Sequence, residues 1–240
     1  MVLVPIQIDQ KKLEKLDTQK DDLIHVVAHD LLSPIGKVGA LAQLIRMSDD
    51  EMEKEQYLDY LDGLVEDSST MVQDLMDIHA YENNKVKLYK RNYQLSELME
   101  DALIGHRLKA EKKSISIKET IPKETLVHTD NRMVKRIIDN LLGNAIKFSP
   151  KGSEVGISAA VNNGVLFIEI DDQGPGFTEQ DKRKIFGKFM RLSAQPTGEE
   201  TSTGLGLAIV KELVRQLDGK INLNSEKGKG AEFRVEIPLD

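Results

Sequence analysis

The sequence predicts an α+β protein in two parts: an N-terminal helical hairpin whose dimer makes a four-helix bundle, then an α/β sandwich with a mixed sheet covered by helices. Three observations predict it. Apolar residues recur at helical spacing from Ile6 to Ile78. Beyond about Asn83, short strand-like runs alternate with helical ones, which is the pattern of a sheet covered by helices. Within that second part, Asn162-Asn163-Gly164 between two apolar runs marks a β-hairpin.

The elements follow in order. Ile6, Leu13, Leu16, Leu23 and Val27 are separated by charged and polar residues, a narrow seam that suits a parallel coiled coil. It runs into a helix over Val26–Leu44 that carries Val27, Leu31, Ile35, Val38 and Leu41 on one stripe. Pro34 removes a backbone donor there, so a bend is expected. The acidic stretch Met47–Lys54 holds the turn. A second helix carries Tyr57, Leu58, Leu61, Leu64, Val65, Val72, Leu75, Met76 and Ile78. A lone hairpin with apolar surface on more than one side does not bury it, so a homodimer is expected.

The texture changes over Tyr81–Lys90, and the domain boundary is placed near Asn83, giving domains 1–82 and 83–240 with Val86–Tyr89 as a short strand. Leu95–Lys112 reads as a helix, and Ser114–Glu119 and Thr125–His128 as strands. Asp130 caps a helix that runs through Lys147. Val155–Val161 and Val165–Asp171 are the strands of the hairpin. A helix follows Gly204, and strands Lys220–Asn224 and Glu232–Ile237 finish the chain.

Composition narrows the function. The 240 residues have a net charge of −7, so nothing in the composition asks for nucleic acid or an anionic membrane. There is no cysteine, so disulfides, thiolate catalysis and Cys-ligated zinc are excluded. No apolar run approaches the ~20 residues of a membrane span. Met1–Gln10 is too short and too weakly basic for a signal peptide. A cytoplasmic protein, or the cytoplasmic part of a longer one, is expected.

Five short stretches carry chemistry. His29 lies off the apolar stripe of its helix, with a carboxylate, Asp30, next to it; an exposed imidazole beside a carboxylate is a candidate nucleophile. After Asp130, Asn140, Asn144 and Lys147 fall at i, i+4 and i+7 along the edge of an apolar face. Polar groups at the edge of a core are costly unless something polar meets them. Amide oxygens are hard ligands that suit Mg²⁺, and an ammonium suits phosphate. A strand runs into Asp172, followed by Gly174 and Gly176; a carboxylate there can accept from an exocyclic amine such as adenine's. Phe186 and Phe189 sit between Lys184, Lys188 and Arg191, and the polar stretch Ser193–Thr203 reads as a mobile lid. Last, Thr203-Gly204-Leu205-Gly206-Leu207 opens an apolar helix, where backbone N–H groups make an anion site. It is neither a dinucleotide fingerprint nor a Walker loop.

In this order and spacing the stretches resemble the GHKL (Bergerat) nucleotide-binding fold, shared by sensor histidine kinases, DNA gyrase, mismatch-repair ATPases and a heat-shock chaperone. With the His29 stretch upstream, the chain resembles the catalytic core of a bacterial two-component sensor histidine kinase from Lys20 to Asp240. The resemblance implies a five-stranded mixed sheet under three helices, and ATP with Mg²⁺ as nucleotide and metal. It implies His29 as phospho-acceptor, Asp30 as its acid/base partner and Ser33 in a possible phosphatase role. Asn144, helped by Asn140, would meet Mg²⁺, Lys147 would meet phosphate, and Phe148 would line the nucleotide site. Asp172 would hold the adenine amine beside Gly174 and Gly176. Phe186, Lys188, Phe189 and Arg191 form an F box, and Thr203, Gly204, Leu205, Gly206 and Leu207 the second glycine box. The implied partners are a second copy of the chain, a response regulator's receiver domain and an upstream sensor domain.

Two residues depart from the pattern. Leu32 occupies a place usually polar or basic, and Ser202 stands where a glycine often sits. A non-catalytic ATP-binding scaffold and a GHKL ATPase are the alternative readings.

Overall fold

The computed structural model describes residues 32, 34–82, 87–190, 192–197 and 204–239. By its contacts the chain divides into two compact units, Met1–Gln73 and Asp74–Asp240. The first holds helix α1 (34–47) and most of helix α2 (Glu51–Glu82). The turn between them is built as the acidic sequence suggests. Asp50 accepts from the Met52 amide at 2.8 Å, and the Ser48 hydroxyl donates to Glu53 at 2.7 Å, satisfying orphan groups at the head of α2. Leu41, Leu64 and Met71 are buried, while Leu32, Ile35, Leu58, Val65 and Val72 stay exposed. The coiled-coil seam before Val27 and the bend expected at Pro34 involve residues outside those described.

The second unit has strands β1 (Arg91–Gln94), β2 (Ser116–Thr120), β3 (Leu126–Thr129), β4 (Glu154–Asn162), β5 (Val165–Asp172), β6 (Lys220–Ser225) and β7 (Ala231–Pro238). Its helices are α3 (Leu95–Lys112), α4 (Asn131–Phe148), α5 (Glu179–Lys184) and α6 (Gly206–Gln216). Five strands form a mixed sheet in the order β2-β4-β5-β7-β6. Only β2 and β4 are parallel; the other pairs are antiparallel. β1 and β3 make a separate antiparallel pair. The hairpin at Asn163-Gly164 forms with both residues at positive φ, 50° and 74°, the geometry a two-residue turn between twisted strands needs.

One face of the sheet is covered by α3, α4 and α6, with α4 in the middle. Alternation along β5 turns Leu166, Ile168 and Ile170 into this core and leaves Phe167 and Glu169 on the other face. α4 presents Val134, Ile137, Ile138, Leu141, Leu142 and Ala145 to the same core, all essentially fully buried. Its N-cap is Asp130, itself fully buried, which accepts from the Arg132 amide and guanidinium and from the Tyr89 amide.

Three local expectations shift. The first strand is Arg91–Gln94 rather than Val86–Tyr89, because its pairing with β3 sets the register: Tyr93 lies opposite Val127. β2 begins at Ser116, two residues late, because Ser114 adopts a left-handed φ of 56° in the turn that ends α3. A further helix, α5, stands where no helix was expected.

The last turns of α2 belong to the second unit. Ile78 joins its core, Leu75 and Tyr81 lie against it, and the Gln216 amide donates to the Tyr81 carbonyl at 3.2 Å. Arg136 of α4 pairs with Asp74 at 2.5 Å and with Asp77 at 3.2 Å. Asp74 is only 5% exposed. Removing one partner of a buried pair leaves the other charge uncompensated, so Asp74→Ala should cost about 3 kcal/mol in urea unfolding. Adding Arg136→Met to that variant should recover most of the loss.

Candidate functional site

Four sequence-distant segments meet around the edge of α4, and the contacts are close enough to exclude side chains. A Cβ on Gly206, at the head of α6, would stand 2.6 Å from Oδ1 of Asn140 and 3.9 Å from Nδ2 of Asn144. A Cβ on Gly174 would stand 2.8 Å from Oδ1 of Asp172 and 3.1 Å from the Phe148 carbonyl. The Phe189 amide donates to the Gly204 carbonyl at 2.9 Å, and Gly204 has a φ of 66° that side chains rarely adopt. Thus the amide-bearing helix, the loop after β5, the Phe186–Phe189 segment and the Gly204–Gly206 turn form one wall.

Each side chain is placed by its element. Asn140, Asn144 and Lys147 are half-buried along the rim of α4's core face. Asn140 donates Nδ2 to the Arg136 carbonyl one turn back, at 2.8 Å, which turns its Oδ1 toward Gly206. The ammonium of Lys147 lies 6.0 Å from the half-buried Phe148 ring. Leu205, fully buried, anchors the turn, and it caps α6 without a side-chain hydrogen bond. The first N–H groups of a helix have no acceptor within it, and the dipole at the head of α6 favours negative charge. Leu207 is half-buried behind them.

Asp172 follows from strand parity. It falls on the same face of β5 as Ile168 and Ile170, so a carboxylate closes the core face of the strand. Gly174 donates to its Oδ1 at 2.8 Å and Ala231 at 3.3 Å. Burial pushes this carboxyl up to about 6; those two amides pull it down, and neighbouring Asp171 adds to the rise.

The remaining sites sort as follows. Gly176, at φ 62°, is brought to the Glu226 and Gly230 carbonyls in the β6–β7 turn. Phe186 is half-buried with the Lys211 ammonium 5.9 Å from its ring. Phe189 is half-buried at a φ of 56°, unusual for a non-glycine residue and typical of strained functional segments. Lys188 is exposed, with its charge felt by Glu212. Leu32 is exposed on the N-terminal unit. His29, Asp30, Ser33, Arg191 and Thr203 lie outside the described residues.

Sequence reading missed three contributors. Lys113, just after α3, donates to the Ile146 and Lys147 carbonyls at 2.9 and 2.7 Å, neutralising the C-terminal end of α4. The Thr197 hydroxyl lies 3.0 Å from the Lys147 carbonyl and 2.7 Å from that of Ser149. Asp181 is buried, and Thr178-x-x-Asp181 was a legible capping-box spacing. Among the described residues no His/Cys/Asp/Glu cluster suits a metal, and no helix is long and apolar enough to cross a membrane.

The chain is similar to known proteins. Residues 129–240 match the family model described as histidine kinase-, DNA gyrase B-, and HSP90-like ATPase. The chain is 29% identical over 238 residues to the autoinducer 2 sensor kinase/phosphatase LuxQ of Vibrio vulnificus, a match that takes in 96% of this chain and 28% of LuxQ. It therefore spans less than a third of that relative's length. The histidine kinase AdeS of Acinetobacter baumannii has a TM-score of 0.68 at 25% identity, over 88% of this chain and 98% of AdeS. The histidine kinase ThkA, solved in complex with the response regulator protein TrrA, has a TM-score of 0.69 over 99% of this chain and 67% of ThkA. At its 23% identity that likeness is one of fold: N-terminal helices followed by a mixed five-stranded sheet.

Asp172 yields a signed prediction. Its folded pKa of about 6 lies above the ordinary value of 3.8, so the folded state holds this proton more tightly. The stability it contributes is full below about pH 4 and is lost as pH rises through about 6. Asp172→Asn should therefore be more stable than the parent at pH 8 by about 1–2 kcal/mol, allowing for partial exposure. Urea unfolding at pH 8 and pH 4 checks this; the difference should vanish at the lower pH.

Proposed function

We propose that the chain is the catalytic core of a sensor histidine kinase, helical part and ATPase domain together, and that it is an ATP-dependent protein-histidine autokinase whose phospho-acceptor is His29. The observation that carries the proposal is the approach of Gly206 to Asn140 within the reach of one Cβ. It brings the Asn140 oxygen and the Asn144 carboxamide to the head of α6, and with Lys147 on the same rim this is a donor set that fits a triphosphate and its cation.

Residues 1–82 serve as the dimeric phospho-acceptor hairpin and residues 83–240 as the nucleotide-binding part. Asp172 accepts from the adenine amine, and Phe148 and the Gly174 turn shape the space beside it. Asn144 and Asn140 would hold Mg²⁺, which neutralises phosphate charge and fixes phosphate orientation. Lys147, the Gly204–Gly206 turn and the head of α6 bind the phosphate oxygens and aim the γ-phosphorus. Lys188, Arg191 and Thr203 are assigned to the nucleotide by the family resemblance.

Asp30 orients the His29 ring by accepting its N–H, which keeps the other nitrogen unprotonated. That nitrogen attacks the γ-phosphorus; the bond to the β–γ bridging oxygen breaks and ADP leaves. The phosphohistidine then passes its phosphoryl group to an aspartate carboxylate of a response regulator's receiver domain. Ser33 supports removal of phosphate from that regulator. The exposed residues Leu58, Val65 and Val72 suit a second copy of the chain. An upstream sensor acts through the segment that precedes His29.

Two measurements test this. His29→Gln should abolish acid-labile phosphate incorporation from ATP while nucleotide binding persists; retained label would remove the assignment. Binding without label in the parent would favour a scaffold, and steady phosphate release without label an ATPase. Because the Asp172 carboxylate must be ionised to accept the amine, ATP affinity should fall as pH drops through about 6. Asp172→Asn should bind ATP poorly at every pH despite its greater stability.

A further inference from the structure

The buried carboxylate of Asp181, 2% exposed, lies outside the wall described above. It accepts four hydrogen bonds. Two come from Thr178, from the hydroxyl at 2.6 Å and the amide at 3.2 Å, and they cap the short helix α5. The other two come from Ser193, from its hydroxyl at 2.5 Å and its amide at 3.2 Å. Burial by itself would raise this carboxyl; the four donors hold it down at about 2, so it stays charged.

Capping a six-residue helix calls for Thr178 alone. A charge is kept in the interior only when its donors repay the loss of water, and half of these donors arrive from across the Phe186–Phe189 segment. Asp181 thus ties down the point at which the chain leaves that segment. Four residues later the same stretch is tied again. The Thr197 amide donates to the Lys147 carbonyl at 3.2 Å, and its hydroxyl lies within reach of that carbonyl and of Ser149's. Residues 193–197 are therefore strung between a buried charge and the last turn of α4, the turn that carries Lys147.

We infer that Asp181, through Ser193 and Thr197, is a positioning residue for the phosphate end of the nucleotide site. The inference rests on the reading that Lys147 faces phosphate and Asp172 faces adenine. It separates the two ends of the ligand: the 193–197 stretch reaches Lys147, whereas Asp172 is held by Gly174 and Ala231. Loosening the stretch weakens what the phosphates contribute and leaves what adenine contributes.

The test compares Mg-ATP and adenosine binding to the whole chain at pH 7.5 by calorimetry, for the parent, Asp181→Asn, Ser193→Ala and Thr197→Val. Asp181→Asn keeps the shape and removes the charge; Ser193→Ala and Thr197→Val each remove one hydroxyl and leave the helix cap, so they report even where Asp181→Asn fails to fold. Mg-ATP affinity should fall about tenfold in each folded variant, the scale of one charge-assisted hydrogen bond, with adenosine affinity held within about twofold. Equal losses for both ligands, or no loss for either, would overturn the inference while leaving nucleotide binding intact. A parent that binds no Mg-ATP would overturn the nucleotide reading and this inference with it.

Discussion

The structure turns on a carboxylate at the end of the core face of β5. Strand parity puts Asp172 in line with Leu166, Ile168 and Ile170, where an apolar residue would be cheaper. Much of the local backbone is arranged around it. Gly230 takes a φ of 82°, and a Cβ there would fall 1.9 Å from the Asp172 carbonyl. Gly174 turns its amide back onto the side chain. The result is a carboxyl whose proton is held more tightly folded than unfolded, a local loss of stability at neutral pH. Such losses concentrate where a ligand relieves them, and a donor from outside would relieve this one.

Helix α4 carries the same logic along its length. One face is closed by six fully buried apolar residues and ties the helix to sheet, α3 and α6. The rim beside that face carries Asn140, Asn144 and Lys147, and it is met by backbone: Gly206, the Phe148–Gly174 contact and, through Thr197, the 193–197 stretch. Because the apolar face is fixed, the rim is fixed, and amides on a rigid helix are positioned more precisely than amides on a loop. The N-terminal end of α4 is held as firmly, by the Asp130 cap and by Arg136, which pairs with Asp74 and Asp77 of α2. The helix that lines the candidate nucleotide site is therefore also the helix gripped by the last turns of α2.

Much of this was legible in the sequence. α4 announced itself because one face is uniformly apolar and Asp130 stands at its head. The hairpin was set by Asn163-Gly164, and the acidic strand end by the run from Ile168 to Asp172. What escaped was set by distant partners. Nothing local in the sequence says that Asp74 and Asp77 meet Arg136. Ser193 and Thr197 read as polar loop residues, although their hydroxyls are tied to a buried carboxylate and to the end of a helix. β1 is polar and four residues long, so it follows its pairing with β3 and not its own periodicity. The His29 stretch, the most informative in the sequence for chemistry, lies outside the described residues, and its role stands on resemblance and on the site that would serve it.

The rim of α4, the turn after β5 and the head of α6 should respond to a nucleotide as three sides of one site. NMR spectra of the ¹⁵N-labelled chain during titration with Mg-ATP test this most directly. The side-chain amides of Asn140 and Asn144 and the backbone amides of Gly174, Gly204 and Gly206 should shift together, at one affinity, with Arg107 and Ile117 unmoved. Shifts that gather on α3 and β2 and leave those five groups in place would contradict it.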